Sequence, residues 1–451
     1  MSVTASEQIA RFSAAFQPDR LSGSLREACG RSLVDLHAAA IAGWDEPAAE
    51  RVRRYVATLE GGAGSSASFW RGGHCSVEGA ALANGVAAHV LDYDDVSSPM
   101  RGHPGVAIWP ALLALGEARK VSGEQLASAF VVGFEVIVKL SRAMAVKHYA
   151  RGWHSTSSIG TIGAAVACAH LLQLGIAETV NAIGLAVAQT AGTRQNFGTD
   201  AKSFQAGQAN AAALRAALLA ETGFSASPAA LDGDVGYFKL YGSGEDLRAS
   251  LADLGQEPLE LERSGVEIKK YPLCYATHRM LDGLLDLRAE KHLTLADVES
   301  VDIRVSCEAL APLIHHRPQS GLEAKFSMEY AAAAALLDGA VKLSSFLDSA
   351  VVRPEIQAFL PKVSASEHGE TLLPRWTEVA VRRTDGEILT KRVETLRGSA
   401  EKPLSKEELL RKIEDCYDFG GCRIDAAQFL DKAMRVDCRD VADLLPIAVR
   451  Q

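Results

Sequence analysis

Closely spaced cysteine pairs are missing from this 451-residue chain. It contains eight cysteines, but none forms a Cys-x-x-Cys pair, and the closest two are Cys416 and Cys422. Zinc ribbons and common iron–sulfur loops need such pairs, so neither kind of site is expected.

An excess of positive charge is also missing. Lysine and arginine total 47 against 56 aspartates and glutamates, which gives a net charge of -9. Because a nucleic-acid partner requires a cationic surface, nucleic acid is not expected as the main partner. A negative protein that binds a negative small molecule would need a local cationic pocket.

The chain has no long hydrophobic run. Its N-terminal residues, MSVTASEQIARF, lack the apolar core of a signal peptide, which predicts a cytoplasmic protein. The longest apolar stretch, residues 159–175, contains His170 and many small residues. This stretch is short for a membrane span, so we predict a buried helix and no membrane association.

Residues 1–265 carry mainly helical signals. The alanine-rich segment from Gly207 to Thr222 predicts a helix that stops at Gly223. In residues 160–167, small side chains recur with helical spacing, a pattern that predicts close packing between helices.

Strand signals begin after about residue 266. Val301, Ile303 and Val305 alternate with polar residues, which indicates a half-buried strand, and Asp385-Gly386 between two alternating runs predicts a hairpin. Ser405 followed by Glu408 predicts a capping box where the chain returns to helix. The fold class predicted is therefore mainly α, with a smaller α+β region.

The segment from His89 to Gly105 holds the densest set of acid–base groups. If a helix runs through its start, His89, Asp92 and Asp95 lie on one side of that helix. Carboxylates beside a loop histidine suit proton transfer. A helix end with solvated acids and a histidine that fixes a turn explains the pattern equally well.

Three other segments place polar groups near predicted helix starts or at the domain junction. Ser155, Thr156 or Ser157 could cap a helix after His154, and residues 196–202 precede the alanine-rich helix with Lys202. Residues 269–278 place two lysines, a cysteine and a histidine at the proposed domain junction, where ligand clefts are common.

Together these segments resemble the MmgE/PrpD family along nearly the whole chain. The matching motifs are Leu91-Asp92-Tyr93-Asp94-Asp95 with Gly102-His103-Pro104; Gly152-Trp153-His154; Gly198-Thr199 before Lys202; Tyr271-Pro272 with Cys274 and His278; and Ala324-Lys325 with Ser327 and Tyr330. Each motif is short, but five of them in the family's order make a specific match.

The resemblance implies a large all-helical domain formed by both chain ends, residues 1–265 and 404–451, and an inserted α+β lid, residues 266–403. It also implies a homodimer, a cleft between the domains and no cofactor or iron–sulfur cluster. Known activities of such proteins are 2-methylcitrate dehydration, cis-aconitate decarboxylation and iminodisuccinate epimerisation. A small polycarboxylate is therefore the expected substrate.

Carried over by position, the family's catalytic residues are Asp92, His103, His154, Lys202, His278 and Tyr330. We expect Arg101, Lys269 and Lys270 to bind substrate, and no residue is predicted to bind a metal. Removing a proton next to a carboxylate creates a state rich in negative charge, so a base must act beside cations that hold the carboxylates.

The resemblance favours the epimerase branch over the lyases. Lyases of the family usually carry threonine where this chain has Val96, and the loop residues 100–104 look closest to iminodisuccinate epimerase. Tyr330, in contrast, resembles the lyases, so a dehydratase or decarboxylase is the alternative.

Four other functions are compatible with the residues. Asp92, Asp95, His103 and His154 could bind a metal ion, Lys202 could form a Schiff base, and Cys274 could be a nucleophile although a buried structural thiol is more common. A helical scaffold without catalysis is a fourth reading, and Val96 favours it.

Overall fold

The computed structural model describes residues 3–60, 67–242, 247–370, 374–436, 440–446 and 449–450. The chain forms two compact units: unit 1 contains residues 1–268 and 416–451, and unit 2 contains residues 269–415. The second border lies between residues 415 and 416, within helix Lys406–Phe419.

The elements follow one another from mostly helical to mixed and back to helical. The α-helices are α1 Ala5–Ala15, α2 Gly23–Gly43, α3 Pro47–Glu60, α4 Val77–His89, α5 Pro104–Arg119, α6 Gly123–Ala150, α7 Ser155–Leu171, α8 Ile176–Val187, α9 Asp200–Glu221, α10 Tyr237–Tyr241, α11 Leu247–Leu251, α12 Glu260–Arg263, α13 His278–Lys291, α14 Gly321–Ala324, α15 Met328–Asp338, α16 Asp348–Val351, α17 Pro354–Phe359, α18 Lys406–Phe419 and α19 Ala426–Arg435. The strands are β1 Ala67–Ser68, β2 His74–Cys75, β3 Val298–Ser306, β4 Val363–His368, β5 Thr377–Arg383, β6 Ile388–Val393, β7 Cys422–Arg423 and β8 Val449–Arg450. The predicted mainly α fold is confirmed.

Unit 1 is helical except for two short antiparallel strand pairs, β1 with β2 and β7 with β8. Each pair joins strands of only two residues. The described part of unit 1 is therefore mainly helical. None of the described helices is long and apolar enough to cross a membrane.

Helix α7 packs closely against two neighbours through glycines, as predicted from its small residues. A methyl group added at Gly160 would lie 2.8 Å from the Cβ of Ala107 in α5. One added at Gly163 would overlap the side chain of Ile137 in α6 and lie 2.9 Å from the carbonyl oxygen of Gly133. The glycines thus allow the three helix backbones to approach each other.

Helix α9 begins at Asp200, earlier than predicted, because the Thr199 side chain accepts a hydrogen bond from the Ala201 N–H and caps it. The predicted stop is confirmed, since Gly223 has a φ of 89° and the Phe224 N–H donates to the Leu219 carbonyl. The early start places Lys202 in the first turn of α9.

Unit 2 is built on a four-stranded sheet with the strand order β4-β3-β5-β6. Strand β3 pairs in parallel with β4 and antiparallel with β5, and β5 and β6 form the predicted hairpin around Gly386. The predicted capping box of α18 is also present: the Ser405 N–H donates to the Glu408 carboxylate, and the Glu408 N–H donates to Ser405 Oγ.

We expect Gly163→Ala to lower the free energy of unfolding by about 1–3 kcal/mol, because the added methyl group must displace Ile137 and the Gly133 backbone. Urea denaturation measures this loss. Gly23→Ala is the matched control, since a methyl group there has no atom within 4 Å. Equal stability of the two variants would contradict the close packing of α7.

Candidate active site

The chain leaves helix geometry immediately after His89, the last residue of α4. Asp92 has a φ of 54°, in the left-handed region, so a continuous helix cannot carry His89, Asp92 and Asp95 on one side. That prediction is wrong. The three aspartates instead lie on an irregular segment that directs each carboxylate to a different partner.

Asp94 lies between two imidazoles. Its carboxylate accepts a hydrogen bond from His89 Nδ1 at 2.9 Å, and its Oδ2 lies 3.2 Å from His103 Nδ1, although that contact lacks hydrogen-bond alignment. All three side chains are buried. Asp94 therefore provides a negative charge shared by His89 and His103.

Asp92 binds the predicted lysine. Its Oδ1 accepts a hydrogen bond from Lys202 Nζ at 2.5 Å and lies 3.7 Å from His103 Nε2. The His89 ring connects this group to His154: ring centroids are 4.6 Å apart for His89 and His103 and 6.0 Å for His89 and His154. The structure thus brings Asp92, His103, His154 and Lys202 together in unit 1.

Three of these residues lie at helix N-termini. His103 is the N-cap of α5, His154 is the N-cap of α7, and Lys202 lies in the first turn of α9. Helix N-termini carry partial positive charge and unpaired N–H groups, which favour anions. The folding of the chain thus directs several helix dipoles to the neighbourhood of the cluster.

The predicted capping of α7 by Ser155, Thr156 or Ser157 is wrong, because the helix begins one residue after His154 and these hydroxyls lie inside its first turn. Thr156 Oγ1 instead accepts a hydrogen bond from the His103 N–H at 3.1 Å. This bond fixes the His103 loop to α7.

Asp95 connects its chain segment to helices α2 and α5 through hydrogen bonds. Its Oδ1 accepts a hydrogen bond from the Gly105 N–H in the first turn of α5, and its Oδ2 accepts one from Ser32 Oγ. A side chain on Gly105 would overlap the Asp95 carboxylate. Burial, together with the negative charge of Asp35, raises the pKa of Asp95 to about 8.

Burial keeps two of the clustered histidines neutral at pH 7. It lowers the pKa of His89 to about 4 despite the neighbouring Asp94, and it lowers the pKa of His154 well below the usual value. For Asp94, burial alone would raise the pKa, but attraction to His103 and His89 outweighs burial and holds it well below the usual value. Asp92 thus faces Lys202 and His103, and Asp94 faces His89 and His103.

The remaining predicted catalytic residues, His278 and Tyr330, belong to unit 2. His278 is the first residue of α13, is fully buried, and places its Nε2 3.3 Å from the Leu273 carbonyl. Tyr330 lies in the hydrophobic core of unit 2, where its hydroxyl donates to the Ser345 carbonyl.

The predicted substrate-binding residues are also engaged within their own units. In unit 2, Lys269 is buried, and Lys270 forms an ion pair with Glu408 at 2.8 Å. In unit 1, the Arg101 guanidinium lies 6.0 Å from the Tyr149 ring centroid, and that of Arg194 lies 4.1 Å from the same ring.

The donor geometry for a metal differs from the predicted set. One potential ligand atom from each of His89, Asp92, Asp94 and His103 lies within 4.8 Å of the others, among the residues described. Asp95 and His154 are not in this set. The Lys202 ammonium at 2.5 Å from Asp92 already balances that carboxylate and would repel a cation bound there.

Cys274, the predicted alternative nucleophile, is buried in the core of unit 2, which matches the structural role expected of most buried thiols.

A groove of about 960 Å³ on unit 1 lies between α3, α4 and α9 and exposes Tyr55 and Phe204. Its lining contains none of the predicted site residues, so we do not assign the chemistry to it.

Sequence reasoning missed Gln205, which is buried and whose Oε1 lies 2.7 Å from His154 Nδ1. Its only signal is its position, three residues after Lys202 on the same helix, where side chains share a face. Asp94 lay within the family motif but received no role.

Comparisons with known proteins find the same family in both parts of the chain. The MmgE/PrpD N-terminal domain matches residues 7–250, and the MmgE/PrpD C-terminal domain matches residues 271–430. The cis-aconitate decarboxylase of Mus musculus is 31% identical over 389 residues, which cover 82% of this chain and 75% of that protein. The Homo sapiens enzyme of that name is 31% identical over 352 residues (74% and 71%), and the Aspergillus terreus one 26% over 368 residues (74% and 73%).

The chain therefore belongs to the MmgE/PrpD family. It is an enzyme of this family, in the isomerase or lyase class. The relatives named above are lyases and match the predicted alternative, whereas the preference for an epimerase receives no support from them.

We expect Asp95→Asn to flatten the pH dependence of stability between about pH 4 and pH 8. Asp95 stays protonated up to about pH 8 when folded but ionises near pH 4 when unfolded. The native state therefore holds the extra proton in this window, and its stability falls as pH rises, by up to about 1.4 kcal/mol per pH unit. Urea denaturation of both proteins at several pH values measures the difference; parallel curves would contradict it.

Proposed function

We propose that this enzyme transfers a proton at a carbon beside a carboxylate of a small polycarboxylic acid and that its net reaction is that of a lyase. The observation that carries the proposal is the buried cluster of Asp92, His103, His154 and Lys202. It combines a neutral imidazole, a second imidazole backed by a carboxylate, and an ammonium group.

The cluster supplies the groups that such chemistry needs. The Lys202 ammonium can hold a substrate carboxylate, and the partial positive charge at the N-termini of α5 and α7 favours an anion nearby. An imidazole can take or return the proton, a role that contributes roughly 10²–10⁴-fold in rate.

Decarboxylation is the lyase reaction that the relatives favour. A substrate carboxylate leaves as carbon dioxide, its bonding electron pair stays on carbon, and an acid of the site delivers one proton to that carbon. The relatives are named cis-aconitate decarboxylases, so an unsaturated tricarboxylate is the first substrate to test.

Epimerisation is the second candidate, and Val96 favours it. Val96 is buried, and its backbone pairs with Glu267, so this position offers an apolar side chain where the family's lyases usually carry a hydroxyl. An epimerase needs only proton removal and return, with no leaving group to be hydrogen-bonded there.

Other expectations accompany this proposal. We infer that His278 and Tyr330 of unit 2 take part in the same reaction, that Arg101, Lys269 and Lys270 bind substrate carboxylates, and that unit 2 acts as the lid of a homodimeric, cytoplasmic enzyme without a cofactor. The family resemblance supports these statements.

We expect the purified enzyme to incorporate deuterium at carbon from heavy water with at least one of cis-aconitate, citrate, 2-methylcitrate and iminodisuccinate. Mass spectrometry measures the incorporation. Release of carbon dioxide or water would identify a lyase, and exchange without net consumption would identify an epimerase.

Lys202→Met and His103→Ala should reduce this exchange by roughly 10²-fold or more, since each removes a charged or proton-transferring group. Lys239→Met and His74→Ala are matched controls at exposed positions of unit 1 and should retain full exchange. Circular dichroism verifies folding. Exchange that is absent with every substrate would favour the non-catalytic scaffold, and activity lost with removal of a stoichiometric metal would favour the metal alternative.

We also expect binding of propane-1,2,3-tricarboxylate to take up protons at pH 7. The anion brings negative charge beside His89 and His154, which burial holds neutral, and so stabilises their protonated forms. Calorimetry in two buffers of different ionisation enthalpy measures the uptake. Identical heats in both buffers would show that the cluster keeps its resting protonation.

A further inference from the structure

We propose that Gln205 is a positioning residue that holds His154 with its proton on Nδ1, which makes His154 Nε2 the proton acceptor of the site. The inference rests on the proposed function, and it assigns the base that the sequence left undetermined. It follows from the hydrogen-bonding capacity of the Thr193 carbonyl, the Gln205 amide and the His154 imidazole.

The Thr193 carbonyl can only accept hydrogen bonds. It lies 3.1 Å from Gln205 Nε2, so the amide nitrogen of Gln205 must face it as a donor. The amide oxygen of Gln205 then faces His154 Nδ1 at 2.7 Å. Because that oxygen can only accept, Nδ1 must carry a proton and donate it.

The backbone fixes both sides of this contact. Trp153 and Thr193 form an antiparallel bridge, and the His154 N–H donates to the Gly192 carbonyl. Gly192 has a φ of 105°, and a side chain there would lie 3.0 Å from the Gln205 side chain, so glycine leaves room for the amide. The Gln205 amide therefore cannot turn without losing its bond to Thr193.

The opposite nitrogen of His154 remains available. Among the described residues, the His154 ring forms its hydrogen bond through Nδ1, while His89 stacks on the ring and Phe197 contacts it edge-on, with centroids at 6.0 and 5.1 Å. With the proton on Nδ1, Nε2 presents a lone pair. The charged groups that act on this ring are Lys202 and any charge on His89 and His103.

His154 and His103 therefore have different neighbours. The His154 ring contacts a neutral amide, which favours a neutral ring, whereas the His103 ring faces the Asp94 carboxylate. Environments that separate two titratable groups in this way assign their roles. His154 therefore accepts the proton in a reaction that removes one from carbon.

A direct test is the two-bond ¹H–¹⁵N spectrum of the full chain labelled with ¹⁵N-histidine at pH 7. The His154 signal is assigned as the one lost in His154→Gln. We expect the pattern of a neutral ring protonated on Nδ1. A neutral ring protonated on Nε2, or a charged ring, would overturn the proposal.

Kinetics test the consequence. Gln205→Met keeps the length of the side chain but removes its hydrogen-bond acceptor and donor. It should lower kcat for proton exchange by roughly 10–10²-fold with little change in KM. The spectrum of this variant should also lose the pattern of a ring protonated on Nδ1. Gln208→Met makes the same change at a partly exposed position one helical turn after Gln205. It should leave kcat and the His154 spectrum unchanged.

Gln205→Glu separates positioning from packing. Its carboxylate still accepts from His154 Nδ1, so activity should exceed that of Gln205→Met, and the acid limb of the pH profile should move to higher pH because a negative charge stabilises the protonated ring. An unshifted limb would contradict the role of Gln205. The spectrum requires no turnover, so it tests this inference even if no tested polycarboxylate reacts.

Discussion

The cluster in unit 1 depends on two consecutive buried carboxylates that serve different partners. Asp94 shares its charge between His89 and His103, and Asp95 binds the first turn of α5. A buried charge must be paired or neutralised. Asp94 is paired by imidazoles, and Asp95 retains its proton, so the two adjacent side chains solve the same problem in different ways.

Most of the fold could be predicted because it depends on local patterns. The stop of α9 at Gly223, the hairpin at Gly386 and the capping box at Ser405 each follow from a few neighbouring residues. The helix assumed beyond His89 failed because Asp92 adopts a left-handed backbone, and its side chain pairs with Lys202, which lies 110 residues away in the sequence. Propensity within the segment carries no information about that bond.

The site was only partly predictable, for a related reason. Asp92, His103, His154 and Lys202 could be named from motifs, but their charges could not, because burial decides them. His89 and His154 are neutral owing to desolvation, which no spacing of residues reveals. Gln205 escaped notice since an amide has no charge and no motif, and its role depends on the Thr193 carbonyl.

The glycine-mediated packing of α7 has a consequence for how this enzyme can change. Gly160 and Gly163 hold the helix against α5 and α6 with no room for larger side chains, so the position of His154 at its start is fixed by the framework. Larger side chains can therefore be accommodated more easily in the connecting segments, where Arg101 and Asn196 are partly exposed. The framework thus limits substitution at the helix contacts more than in the segments between them.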